Sequence, residues 1–105
     1  MALALDVQPV RRRAKLTPSD YGVSFNGCDF ITLNYLRWYP NSARAKSFRG
    51  ELVHIHSNGY FWRPDARGYT SHVEEAWVVP FEEAFRRTEH IGLEKKISYQ
   101  KVNKA

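Results

Sequence analysis

The stretch HIHSNGYFWRP, residues 54–64, concentrates side chains that could do chemistry. His54 and His56 stand two apart, the spacing at which one face of a strand presents two metal ligands. A third ligand would have to come from His72, His90, Cys28 or a carboxylate. Structural zinc takes four protein ligands, and catalytic zinc takes three plus water. No Cys-x-x-Cys or His-Glu-x-x-His spacing accompanies the pair, so neither a metal nor a cofactor is assigned. The two histidines read instead as the outer face of a hairpin.

Hydrolytic chemistry would need a nucleophile beside a base, or two carboxylates across a cleft. Glu74-Glu75 and Glu82-Glu83 are chain neighbours whose side chains diverge, and helix-end charge accounts for the second pair. No Gly-x-Ser-x-Gly, phosphate-binding glycine loop or dinucleotide fingerprint occurs, and no nucleophile motif surrounds Cys28. The chain is therefore expected not to be an enzyme.

Binding chemistry is better represented. Arg and Lys contact phosphates, and exposed aromatic rings stack on unpaired bases. Arg11, Arg12, Arg13 and Lys15 form one basic cluster, and Arg44, Lys46 and Arg49 form another. These are the residues expected to meet DNA, RNA or another anionic partner, although no RRM signature or helix-turn-helix accompanies them. A protein partner would select Trp, Tyr and Arg, the types that dominate binding hot spots, as in Trp38, Tyr39, Trp62, Arg63, Arg67 and Tyr69. The expected partner-binding face of the hairpin comprises His54, His56, Phe61 and Arg63, with Arg67 and Tyr69 beyond it.

The totals bound what can position these groups. A chain of 105 residues supports one domain with a modest core. At 43% hydrophobic and 14% aromatic it has the composition of a globular protein. The net charge of +5 is unevenly placed. Residues 1–50 carry eight Lys/Arg against Asp6, Asp20 and Asp29, whereas residues 51–105 balance eight against eight. The lone Cys28 cannot form an internal disulfide, and no apolar run approaches the ~20 residues of a membrane span, so a cytoplasmic protein is expected.

Residues 1–16 lack periodicity and are expected to form a flexible basic arm, leaving 17–105 as the folded domain. Asn26-Gly27 and Asn58-Gly59 each suit a type I′ hairpin turn. The segment CDFITLNYLRWY fits strand and helix periods almost equally, and its β-branched and aromatic content favours strand. Around Asn58-Gly59 the register pairs Ser57 with Tyr60 and His56 with Phe61. Val53, Ile55, Tyr60 and Trp62 would then face the core, while His54, His56, Phe61 and Arg63 face outward. PFEEAFRRTEH predicts a helix from Pro80 to His90, with Glu82 and Glu83 at its positive end and Arg86 and Arg87 at its negative end. Ile97 and Tyr99 alternate with Ser98 and Gln100 in a last strand. The expectation is an α+β fold: a small antiparallel sheet of hairpins with one amphipathic helix on one face. Its core would hold Ile55, Trp62, Trp77, Val79, Phe81, Phe85 and Ile97.

GYFWRPDARGYTSHVEEAWVVPFEEA, about a quarter of the chain, resembles a motif of small phage and prophage accessory proteins. The matching positions are Tyr60, Trp62, Arg63, Gly68, Tyr69, Thr70, Glu75, Ala76, Glu82, Glu83 and Ala84. The resemblance implies a phage-type accessory protein in the host cytoplasm. One class of that kind is the inhibitors of host defence, anti-CRISPR proteins included, which bind a host protein or ribonucleoprotein complex.

Overall fold

In the computed structural model, which describes residues 14–21 and 29–102, the chain becomes extended at Phe30–Thr32 (β1) and turns at once into a helix, Leu33–Trp38 (α1). Thr32 causes the switch: its Oγ1 accepts the Tyr35 amide at 3.0 Å and caps the helix. Leu33 and Leu36, three apart, then bury on one side. The strand reading of residues 28–39 is thus corrected to a three-residue strand followed by a helix. The Asn26-Gly27 turn, Cys28 and most of the basic arm, including Arg11, Arg12 and Arg13, lie outside the described residues.

A one-turn helix, Ala43–Lys46 (α2), is capped by Ser42, whose Oγ accepts the Ala45 amide at 3.1 Å. The chain then runs through Leu52–Ser57 (β2) and Tyr60–Trp62 (β3). Asn58 and Gly59 between them take φ of 51° and 91°, the left-handed pair a type I′ turn requires. The expected register follows, with Ser57 opposite Tyr60 and His56 opposite Phe61. A second turn, with Gly68 at φ 99°, returns Tyr69–Thr70 (β4) beside β3. Val79–Pro80 (β5), the helix Phe81–Thr88 (α3) and Ile97–Lys101 (β6) complete the chain.

The strands form one antiparallel sheet in the order β1-β6-β2-β3-β4. Because β6 pairs β2 from Val53 to Ser57 on one edge, β3 and β5 share the other, β5 at its N-terminal end. This is the expected α+β architecture, with α1 and α2 joining α3 over the sheet. Ile31, Val53, Ile55, Ile97 and Tyr99 point to the helices and meet Leu36, Phe48, Phe81 and Ala84 in one buried cluster. Full burial of each such apolar side chain contributes about 1.5–3 kcal/mol relative to exposure. Of the expected core, Ile55, Val79, Phe81 and Ile97 are buried, while Trp62, Trp77 and Phe85 pack half-buried at its margin.

α3 is shorter than expected, and Pro80 precedes it rather than opening it. Arg87 pairs with Glu83 at 3.6 Å, but Glu82 turns away to accept the Gly50 amide at 2.8 Å. Among the described residues no helix is long and apolar enough to cross a membrane.

Candidate binding surfaces

The outward face expected for the hairpin is largely covered. His54 and Phe61 are each only 5% exposed, and His56 is half-buried. The reason is topological. β6 is an inner strand, so Gln100 and Ser98 stand opposite His54 and His56. The segment after β4 then curls back: Thr70 Oγ1 donates to Glu75 Oε1 at 2.7 Å, and His54 Nδ1 lies 2.9 Å from the Trp77 carbonyl. A carbonyl only accepts, so His54 Nδ1 carries the hydrogen. Phe61 meets both imidazoles edge to face, at 5.7 Å for His54 and 5.0 Å for His56. The expected exposure of His54 and Phe61 is therefore corrected. They belong to a second, mixed polar and aromatic layer of the fold. Burial holds the His56 imidazole below the ordinary histidine value, which favours its neutral form.

Arg63, Arg67 and Tyr69 are exposed as expected. Arg63 is braced by Glu75 at 3.0 Å and by the Tyr69 carbonyl at 3.3 Å. The Thr70 hydrogen bond, reinforced by the Arg63 charge, holds Glu75 below the usual carboxylate range. Tyr60, on the hairpin face expected to turn to the core, is 52% exposed, as is Tyr69. By the register, Tyr60, Trp62 and Tyr69 share the helix-bearing face of the sheet. There the helices leave the two tyrosines uncovered, and the half-buried Trp62 ring lies against Tyr69. The cross-strand partner of Tyr60, Ser57, is itself buried, so the pairing gave no signal in the sequence that Tyr60 would be exposed.

The second basic cluster divides. Arg44 is half-buried, donates to the Asp20 and Phe30 carbonyls and lies 4.9 Å from the centre of the Tyr35 ring. It braces the fold, which corrects its expected place on an open basic surface. Lys46 and Arg49 remain exposed, as does Lys15.

A cleft of about 420 Å³ lies on the polar side of the sheet, between residues 14–20, α1 and the loop before β6. Asp20 forms its anchor. Its carboxylate accepts the Thr17 amide at 2.9 Å, the Thr17 hydroxyl at 3.0 Å, the Thr32 hydroxyl at 2.7 Å and the Asn34 amide at 3.4 Å. Burial pushes its pKa up, but these bonds outweigh burial and hold it below the ordinary aspartate value. The Thr32 hydroxyl thus gives its hydrogen to Asp20 and its lone pair to the Tyr35 amide, linking the carboxylate to the cap of α1. Sequence reading passed over this centre, although Thr17-x-x-Asp20 has the spacing of a capping box.

Among the described residues no group of three or more His, Cys, Asp or Glu side chains could hold a metal ion. Compared with known proteins, the chain matches no family model, no curated protein and no solved structure.

Proposed function

We propose that this protein is a non-enzymatic binding protein of the phage-accessory type, which blocks a host protein or ribonucleoprotein complex by occupying its surface. The observation that carries the reading is the pair of half-exposed tyrosines, Tyr60 and Tyr69, flanking Trp62 on a braced hairpin. Large amphipathic rings held on a rigid element lose little conformational entropy on binding and are enriched at interface hot spots. Arg63 and Arg67 are exposed in the connection between β3 and β4, where Arg63 donates to the Tyr69 carbonyl, and add the cationic component typical of such surfaces. The motif resemblance to phage and prophage proteins, which includes Tyr60, Trp62 and Tyr69, supplies the biological class.

Affinity capture from bacterial lysate tests the reading. The wild-type chain is expected to retain a stoichiometric complex that the double variant Tyr60→Ala/Tyr69→Ala does not. Equal recovery by both proteins overturns it. A salt-sensitive shift of naked DNA or RNA, with no protein complex captured, would favour direct nucleic-acid binding instead.

A further inference from the structure

We propose that the Pro64–Arg67 turn is a spring-loaded switch: a strained left-handed turn, latched by the Arg63–Glu75 ion pair, which opens while the sheet stays folded. The switch regulates the tyrosine surface, and that purpose, though not the switch itself, rests on the reading above.

A second turn in the same chain sets the standard for strain. Asn58 and Gly59 both take positive φ, and both residue types adopt that conformation readily. The Arg67 amide donates to the Pro64 carbonyl at 3.3 Å and closes a turn whose central residues, Asp65 and Ala66, each have φ of 59°. These are the same left-handed positions, filled by a less suitable pair. Aspartate tolerates positive φ, but the Cβ of Ala66 is crowded against the following carbonyl, and alanine has no polar side chain to compensate. Such a conformation persists only where its surroundings over-determine it.

Packing does not supply that constraint, because residues 63–69 are all exposed. Hydrogen bonds do, and they converge on Arg63. Its amide donates to the Gly68 carbonyl at 2.8 Å, and its carbonyl accepts the Ala66 amide at 2.9 Å. Its guanidinium reaches further: Nε donates to the Tyr69 carbonyl at 3.3 Å and Nη2 to Glu75 Oε1 at 3.0 Å. Glu75 is anchored in turn by the Thr70 hydroxyl at 2.7 Å. The latch itself is solvated, with its two side chains 45% and 43% exposed. An ion pair of that kind is weak enough to break and re-form without loss of the fold. Opening uncovers no core side chain, so it belongs to the low-energy local motions of the native state. Because Arg63 holds the Tyr69 carbonyl, release of the latch loosens Tyr69. Tyr60, at the far end of β3 beside the unstrained turn, keeps its place.

NMR of the 15N-labelled full chain tests the switch in wild type, Ala66→Gly and Glu75→Gln. Strong intraresidue Hα–HN cross-peaks are expected at Asp65 and Ala66 in wild type, since positive φ brings those hydrogens together. The Arg67 amide is expected to exchange with solvent far faster than those of Ile55 and Tyr99, which lie in the inner strands β2 and β6. Relaxation dispersion should show Tyr69 sharing one motion with Arg67 and Gly68. Glycine relieves the strain, so Ala66→Gly should raise protection of the Arg67 amide about fivefold, after correction for intrinsic rates. Glu75→Gln keeps an acceptor for Thr70 but removes the charge facing Arg63, and should lower that protection about threefold. Equal or lower protection in Ala66→Gly, unchanged protection in Glu75→Gln, weak Hα–HN cross-peaks, or a Tyr69 amide outside the shared motion each overturns the proposal. So does exchange of Arg67 at the rate of Ile55, which would mean that the turn opens only with the whole fold. The wild-type arms decide the matter even if a variant fails to fold. All are read on the free chain, so failure of the switch and failure of the partner-binding reading are distinguishable.

Discussion

Tyr69 stands edge-on to Trp62 across the β3–β4 register, with ring centroids 6.3 Å apart and planes at 85°. Such a pair contributes about 0.5–1.5 kcal/mol beyond its buried area. Tyr60, two residues before Trp62 on the same face, has no ring partner of this kind described. The two tyrosines therefore separate stability from binding. Tyr69→Ala is expected to lower stability by about 0.5–1.5 kcal/mol, and Tyr60→Ala by about 0.5 kcal/mol or less. Each should weaken the complex with the captured partner by about 2 kcal/mol, roughly thirtyfold. Thermal melts and titration of the partner check both halves.

Phe61 should behave in the opposite way to its neighbour Tyr60. It is 5% exposed and wedged against His54 and His56, so Phe61→Ala removes a buried ring and leaves a cavity. The expected loss is about 3–5 kcal/mol. Chemical denaturation of the two alanine variants side by side measures the contrast. Equal midpoints would mean that this face of the hairpin is solvated after all.

The contrast marks what could be read from the sequence and what could not. Asn58-Gly59 set the hairpin register because both turn residues require positive φ, and no other dipeptide nearby offers that. The helix after Pro80 was legible from its charge gradient and its face of Phe81, Ala84, Phe85 and Thr88. Which face of the hairpin is covered was not legible, because it depends on strand order. Only β6 lying between β1 and β2 sets Gln100 opposite His54, and only the return of residues 71–77 closes over Thr70. Thr32 was ambiguous for a local reason: a β-branched residue suits a strand, yet its hydroxyl begins a helix. The cleft gathers residues up to some 80 positions apart, beyond the reach of any spacing rule.

Stability should also depend on pH through His56. Burial lowers its folded-state pKa below the unfolded value of about 6.5. As pH falls below that value, the unfolded chain takes up a proton that the folded chain does not. The stability present above about pH 6.5 therefore declines, with a limiting slope of about 1.4 kcal/mol per pH unit from this group. The decline ends near the folded-state pKa. His56→Gln is expected to flatten the profile between neutral pH and that point. Urea midpoints of both proteins across this range give the comparison, and parallel profiles would assign the effect elsewhere.

Asp20 carries the last prediction, because its loss should be felt in α1. All four of its partners act as donors, so Asp20→Asn places an amide nitrogen among groups that need an acceptor. The Thr32 hydroxyl loses the partner that orients it, and with it the arrangement that leaves a lone pair for the Tyr35 amide. The expected cost is about 1–3 kcal/mol near neutral pH. The pH dependence has a definite sign. The folded-state pKa of Asp20 lies below its unfolded value, so the stabilisation is fully present well above about pH 3.9. It is lost as pH falls toward the folded-state value, because the unfolded aspartate is protonated first. Wild type and Asp20→Asn should therefore differ most near neutral pH and converge in acid. Amide hydrogen exchange adds the local test: the first turn of α1, beginning at Leu33, should lose protection in the variant beyond what its global stability predicts. Exchange that changes uniformly along the chain would show that Asp20 supports the fold as a whole without acting through the Thr32 cap.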